Sequence, residues 1–232
     1  MPPVQIAHYS DILCVWAYVG QGRLNRLASQ FGDRIAIDIH FCSVFADTQS
    51  KIPAQWQDRG GFQGYADHVR AVAARFDDLA VHRDVWARTR PLSSASPHLF
   101  VRAVELLERE DLAGADVPPY LERLPVLAAQ ELRSAFFVRA EDVSHWDVQR
   151  RVAGLIGVDF DRVIDKIRTG EAIARLAADY DASQALRIEG SPTYVLNEGR
   201  QKLFGNVSYG VIEANVNELL SGEPGDAASL CG

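Results

Sequence analysis

The sequence predicts an α/β protein in which a βαβ unit at one end and a ββα unit at the other are joined by a large all-helical insertion. Three observations carry this expectation. Residues 35–41 alternate Ile35, Ile37, Ile39 and Phe41 against the polar Asp38 and His40, the period of a strand with one buried face. Two short apolar runs, 193–196 and 201–204, flank Asn197-Glu198-Gly199, a hairpin signal. Between these ends Phe62, Tyr65, Val69, Val72 and Phe76 recur at helical spacing and form one apolar stripe.

The elements follow in order. Val4 to Tyr9 is a first strand, closed by Ser10-Asp11. A helix begins at Val15, carries Trp16, Val19, Leu24, Leu27 and Phe31 near helical spacing, and stops at Gly32-Asp33. With the strand at 35–41 it makes a parallel βαβ unit with a right-handed crossover. Residues 62–186 read as helical throughout. One helix spans His98 to Glu110, and another, which Pro125 begins or kinks, ends near Arg139. Ser144, with Asp147 three residues on, opens a helix closing at Gly157; Asp159 caps another closing at Gly170; a last one runs from Glu171 to about Leu186. After the hairpin, Ser208 caps an amphipathic run through Ile212, Val216, Leu219 and Leu220. The expected division is a discontinuous sheet domain, 1–60 and 188–222, a helical lid, 61–187, and a mobile tail, 223–232.

Composition narrows the function. The chain has 232 residues, 47% hydrophobic and 24% charged, which excludes disordered, collagen-like and disulfide-scaffold classes. A net charge of -7 disfavours nucleic acid and anionic membrane as partners, leaving a small molecule or another protein. No run of 18 apolar residues occurs, and Met-Pro-Pro leads into a strand rather than a signal sequence, so a cytoplasmic protein is expected. Cys14, Cys42 and Cys231 are an odd number of thiols, which points to reactive rather than structural sulfur. The six histidines show no metal-binding pattern, so no metal is expected, and no phosphate loop is present.

The first helix begins just after a Cys and the third strand just after a Pro, which is the thioredoxin-like arrangement. Ser10-Asp11-Ile12-Leu13-Cys14-Val15-Trp16-Ala17-Tyr18-Val19-Gly20 resembles the S-D-x-x-C-P-W-C-Y-x-G segment of the DsbA-like family, in particular its FrnE-like branch with a helical insertion. Glu189-Gly190-Ser191-Pro192-Thr193-Tyr194-Val195 resembles that family's cis-proline loop, G-V-P-T-F-V. Ala135-Phe136-Phe137-Val138 followed by Asp142-Val143-Ser144 is similar to the A-F-F-x-x-x-x-D-I-S stretch within the insertion. The resemblance runs to about Leu220 and implies a thiol-disulfide oxidoreductase with Cys14 as nucleophile and Ser191-Pro192, the proline cis, facing it and pairing with bound peptide or glutathione in strand fashion. The reading of Pro192 from its position alone is an ordinary trans proline opening an edge strand.

The chain departs from that pattern at one decisive place. Ala17 stands where the family has its second Cys, and Val15 replaces the Pro, so no dithiol cycle can run within this motif. A mixed disulfide on Cys14 needs an external thiol such as glutathione to release it. Cys14 at a helix N-terminus is expected to have its pKa lowered from about 8.5.

The kappa-class glutathione transferases and 2-hydroxychromene-2-carboxylate isomerases resemble this architecture too, with a serine at the Cys14 position and F-G-x-D-R before the last helix. Phe204-Gly205-Asn206-Val207-Ser208 keeps Phe-Gly-Asn and lacks Asp-Arg, leaving Asn206, Ser208 and the helix N-terminus to receive a glutathione carboxylate. Three readings follow: a monothiol exchanger using glutathione or a similar thiol as co-substrate, with no tightly bound cofactor; a glutathione-dependent transferase or isomerase; and an inactive binding protein in which Cys14 is a relic. Trp16 reads as an aromatic wall over the thiol or as plain packing, Cys42 as a resolving thiol or a small buried hydrophobe, and Cys231 as incidental. The resemblance is compatible with a homodimer.

Overall fold

The computed structural model describes residues 3–77 and 79–221; the tail expected beyond 222, with Cys231, lies outside the described residues. The chain runs β1 (Val4–Ser10), α1 (Val15–Phe31), β2 (Ile35–Phe41), α2 (Thr48–Trp56), α3 (Gly61–Ala73), α4 (Ala95–Leu112), α5 (Leu124–Arg133), α6 (Trp146–Leu155), α7 (Phe160–Arg168), α8 (Glu171–Ala185), β3 (Thr193–Leu196), β4 (Gln201–Phe204) and α9 (Tyr209–Ser221). The sheet has the order β2-β1-β3-β4. β1 is parallel to β2, with Ile6 beside Ile37, and antiparallel to β3, with Tyr9 beside Thr193; β3 and β4 form the expected antiparallel hairpin. This is the thioredoxin-like arrangement with its helical insertion, as the sequence predicts.

The alternation in β2 explains its two faces. Ile35 and Ile37 join Val4, Ile6, Leu24, Leu27, Leu196 and Ile212 in one buried cluster under α1 and α9. On the opposite face Tyr9, Cys42 and Val195 meet Ala182, Leu186 and Ile188 at the end of α8. α1 ends because Gly32 takes φ 53, with its N–H bonded to the Ala28 carbonyl, a conformation that glycine adopts without a Cβ penalty.

β2 is an outer strand, and a buried ion network closes part of its free edge. Arg102 of α4 donates from Nη2 to the Ile39 carbonyl at 2.6 Å and from Nε to Asp179 of α8 at 2.7 Å. The Phe41 N–H donates to the same carboxylate at 3.2 Å. Burial alone would raise the Asp179 carboxyl, but the His40 bond and the Arg102 and Arg175 charges outweigh it and hold the group below its ordinary value.

The insertion departs from the helical-throughout expectation. Residues 74–77 and 79–94 are loop with one bridge, Val85 to Thr89. Its plug is Trp86, fully buried at φ 61, packed edge-on to Phe136 with centroids 5.2 Å apart. Pro91 and this left-handed turn at Trp86 interrupt any helix. Thr48–Trp56 is a helix packed on α3, within the span expected to belong with the sheet. Ser144 does not cap α6: its hydroxyl and N–H both bond Asp142, at 2.6 and 2.9 Å, and the helix starts after His145. Asp159 caps α7 as expected, accepting from the Asp161 N–H at 2.9 Å. Pro125 begins α5, which widens into a π-turn over Ser134–Val138 and ends at Arg139.

Candidate active site

The loop from β1 into α1 is organised by the side chain that precedes it. The Asp11 carboxylate is fully buried and accepts three hydrogen bonds, from the Leu13 N–H at 2.9 Å, the Phe45 N–H at 3.0 Å and the Ser94 hydroxyl at 2.7 Å. Its carbonyl accepts from the Cys14 N–H at 3.2 Å. Burial pushes the Asp11 carboxyl up to about 6, against the pull of those three bonds. Next along the chain, the Ile12 N–H donates to Nε2 of His98 at 3.2 Å. That nitrogen accepts, so the network assigns the imidazole proton to Nδ1, which lies 3.2 Å from the Tyr180 hydroxyl. Burial first, and then the Arg102 charge, lower the His98 pKa and keep the ring neutral, stacked on Phe41 at 4.1 Å.

The cis-proline loop closes on this turn from the other side. Ser191-Pro192 is a cis peptide. The Asp11 N–H donates to the Ser191 hydroxyl at 2.9 Å, and the Cys14 thiol donates to the Ser191 carbonyl at 3.2 Å. Pro192 in turn passes its carbonyl to the Gly205 N–H at 2.9 Å. A Cβ added at Gly20 would stand 3.9 Å from Pro192 Cγ and 3.5 Å from the Tyr194 hydroxyl, so α1 lies close against the loop at that position.

Cys14 caps α1 with an extended backbone (φ -82, ψ 118), and its carbonyl accepts the helix's first bond from the Tyr18 N–H. Cys14 as a whole is 6% exposed. Burial raises its pKa, the opposite of the expected depression. The Ser191 side chain and the Ala17 and Trp16 amides pull the other way, and the Asp11 charge adds to the rise. The helix N-terminus supplies only partial charges, and these do not replace the hydration that the thiolate loses on closure.

Of the other residues singled out in the sequence, Trp16 is half-buried and packs on the insertion core. Asn206 is exposed and accepts from Arg23 of α1, while Ser208, also exposed, contributes its carbonyl to the first bonds of α9. No hydrogen bond joins either residue to Cys14 or Ser191 among the described residues. Cys42 continues the β1–β2 pairing through its N–H to the Ser10 carbonyl, is buried, and has its thiol pushed up by burial and by the Asp11 and Cys14 charges. Both thiols are free. Among the described residues no group of three His, Cys, Asp or Glu side chains is placed to hold a metal, and no helix is long and apolar enough to cross a membrane.

Sequence reasoning passed over Asp11, Ser94, His98 and Tyr180. Asp11 stands in the quoted motif, but its distant partners are Phe45, in the loop after β2, and Ser94, just before α4, while Tyr180 of α8 reaches the turn only through His98.

No family model matches the sequence, and comparison with curated proteins finds no match. Solved structures do match in fold. A candidate protein disulfide isomerase from Nitrosomonas europaea superposes with a TM-score of 0.74 at 15% identity, over 94% of this chain and 98% of its own. The cytosolic disulfide reductase DsbM from Pseudomonas aeruginosa, in a structure with GSH, gives 0.61 at 16% identity, over 94% and 96%. A 2-hydroxychromene-2-carboxylate isomerase gives 0.58 at 14% identity, over 93% and 95%. The chain therefore has the thioredoxin-like fold with a helical insertion that DsbA-like oxidoreductases and 2-hydroxychromene-2-carboxylate isomerase share.

Proposed function

We propose that the protein is a DsbA-like thiol-disulfide oxidoreductase that works with Cys14 as its single nucleophile and exchanges with glutathione or a similar small thiol. The observation that carries this reading is the contact of Cys14 Sγ with the Ser191 carbonyl, while Ala17 occupies the place a resolving thiol would take. In the first step the Cys14 thiolate attacks the glutathionyl sulfur of a mixed disulfide. The Cys14–glutathione S–S bond forms, the substrate's S–S bond breaks, and the substrate leaves as a thiolate that takes up a proton. In the second step a glutathione thiolate attacks the glutathionyl sulfur on Cys14. Oxidised glutathione leaves, and Cys14 returns as the thiolate.

The chain's own groups have distinct parts in this cycle. Asp11 and His98 fix the turn that presents the thiol, through the Leu13, Phe45 and Ile12 amides. Ser191 offers its backbone to the incoming tripeptide once the Cys14 S–H releases its carbonyl, with Asn206, Ser208 and Trp16 as outer contacts. The reading belongs to the cytoplasm, where glutathione is abundant and thiols stay reduced, and one protomer suffices for it.

A second reading draws on a specific feature: the buried thiol, its raised pKa, and its place in one apolar cluster with Phe45, Tyr65 and Trp86. Such a site suits a glutathione-dependent transferase or isomerase acting on an apolar electrophile. Steady-state reduction of the glutathione–mercaptoethanol mixed disulfide separates the two. The first reading expects turnover that Cys14→Ser abolishes and Cys42→Ala leaves in place. Absence of turnover together with glutathione-stimulated conversion of a chromene carboxylate supports the second, and absence of both leaves a binding protein.

A further inference from the structure

A cavity of about 610 Å³ lies away from Cys14. It lies along the first half of β2, which forms one wall from Ile35 to Asp38, and the segment from Val117 to Arg123 forms another. The register sets Ile35 beside Val4 and Phe41 beside Ser10, so the cavity and the thiol occupy opposite ends of strands roughly 20 Å long.

The backbone beside the cavity has an unused edge. The Cys42 N–H donates to Ser10 of β1, so even-numbered groups here face β1 and odd-numbered groups face outward. In the second half of β2 two outward groups are occupied, the Ile39 C=O by Arg102 and the Phe41 N–H by Asp179. At the start, the Ile35 N–H bonds the Gly32 carbonyl. The N–H and C=O of Ile37, a wall residue of the cavity, have no protein partner among the described residues. One outward residue with both groups free is the unit to which a further strand pairs, and natural sheets normally cover such an edge.

The surroundings restrict what can add there. Val117 is 63% and Leu121 36% exposed, and both line the cavity with Pro118 and Pro119. Asp33, Asp38, Glu108 and Glu122 also line it, against two cations, Arg109 and Arg123. Arg123 is shared between Asp38 and Glu108, at 3.1 and 3.4 Å. Arg109 is turned to Glu105, and the neighbouring Arg34 donates to the Phe31 and Gln30 carbonyls of α1. Asp33 and Glu122 have no cationic partner among the described residues. A second copy of this chain would bring the same two unpaired carboxylates to the interface, whereas a basic segment supplies the cations they lack.

We propose that the first half of β2 and the cavity beside it are a docking groove for an extended, basic peptide segment of a partner protein, which adds to the sheet as a strand at Ile37. The site is independent of the thiol chemistry.

The test uses the full chain and a fluorescein-labelled Lys-Val-Lys-Val-Lys-Val-Lys peptide, followed by anisotropy at low salt. Saturable binding is expected, weakened by about tenfold or more, equivalent to 1.4 kcal/mol, when alternate peptide amides are N-methylated or when Glu replaces Lys. The exposed-site double variant Asp33→Asn, Glu122→Gln should weaken it similarly, and hydrogen exchange at the Ile37 amide should slow in the complex. Absence of binding overturns the proposal. So does equal binding of the N-methylated peptide, which would mean surface charge alone, or an Ile37 amide already protected in a peptide-free dimer, which would make a second copy the occupant.

Discussion

The Sγ of Cys14 lies 3.2 Å from the carbonyl oxygen of Ser191, a residue 177 positions further along the chain. In this contact the S–H donates, so the pair holds the neutral thiol. Ionisation exchanges that bond for repulsion from the carbonyl, on top of the hydration already lost to burial. The resting thiol is thus buried and protonated.

Alkylation against pH checks this state. Iodoacetamide should modify Cys14 more slowly at pH 7.5 than it modifies free glutathione, and the rate should rise with an inflection above the ordinary thiol value of about 8.5. Peptide mapping, with Cys14→Ser as the control, assigns the modified thiol. An inflection below the ordinary value would show that the α1 N-terminus outweighs burial.

Asp11 links the same turn to stability. Its folded pKa is about 6, against about 3.9 in an unfolded chain. Between these values the folded state keeps a proton that the unfolded state has released, so this group's contribution to stability falls as pH rises from about 4 to 6. Asp11→Asn removes the titration. The melting temperature of the native protein, taken relative to that of the variant, should therefore be higher at pH 4.5 than at pH 7.5. Asp11→Ala, which strands the Ser94 hydroxyl and the Leu13 and Phe45 amides, should cost about 2–4 kcal/mol in chemical denaturation.

His8 works in the opposite direction. It is buried in β1, and burial first, with Arg133 adding, lowers its pKa to about 3. Below about 6.5 the unfolded chain takes up a proton that the folded state refuses, so stability falls with pH from that point. The His8→Phe variant should lose less melting temperature between pH 7 and pH 5 than the native protein. Equal losses would show that His8 is not held neutral.

The buried network at the β2 edge predicts a larger effect. Arg102→Leu leaves Asp179 and Glu105 without the guanidinium that both contact and frees the Ile39 carbonyl. A loss of about 3–5 kcal/mol is expected from urea unfolding, with faster amide exchange at Phe41. A loss below about 1 kcal/mol would show that Arg175 alone compensates.

Much of this architecture was legible because it is written in short-range pattern. The Ile35–Phe41 alternation, the Gly32 stop, the hairpin at Asn197-Glu198-Gly199 and the Asp159 cap each depend on neighbours within a few residues, and the structure has them there. The resemblance brought Cys14 and Ser191-Pro192 together across the chain, which no local pattern does. What escaped depends on distant packing. Ser94 reaches Asp11 across 83 positions, and His98 reaches Ile12 across 86, so the clamp on the thiol's turn has no sequence period to betray it. The direction of the Cys14 shift was misread for the same reason. A helix N-terminus is visible in sequence, whereas the cluster that buries the thiol gathers Phe45, Tyr65 and Trp86 from separate segments of the chain. Ser144 shows a local signal losing to a nearer one, since Asp142 takes both its N–H and its hydroxyl.

The central claim is that Cys14 alone carries exchange with glutathione, and intact-protein mass spectrometry after incubation with oxidised glutathione tests it most directly. The account predicts one glutathionyl adduct, located on Cys14, reversed by dithiothreitol, absent in Cys14→Ser and unchanged in Cys42→Ala. An adduct that persists in Cys14→Ser, or one that accumulates only when Cys42 is removed, would contradict it.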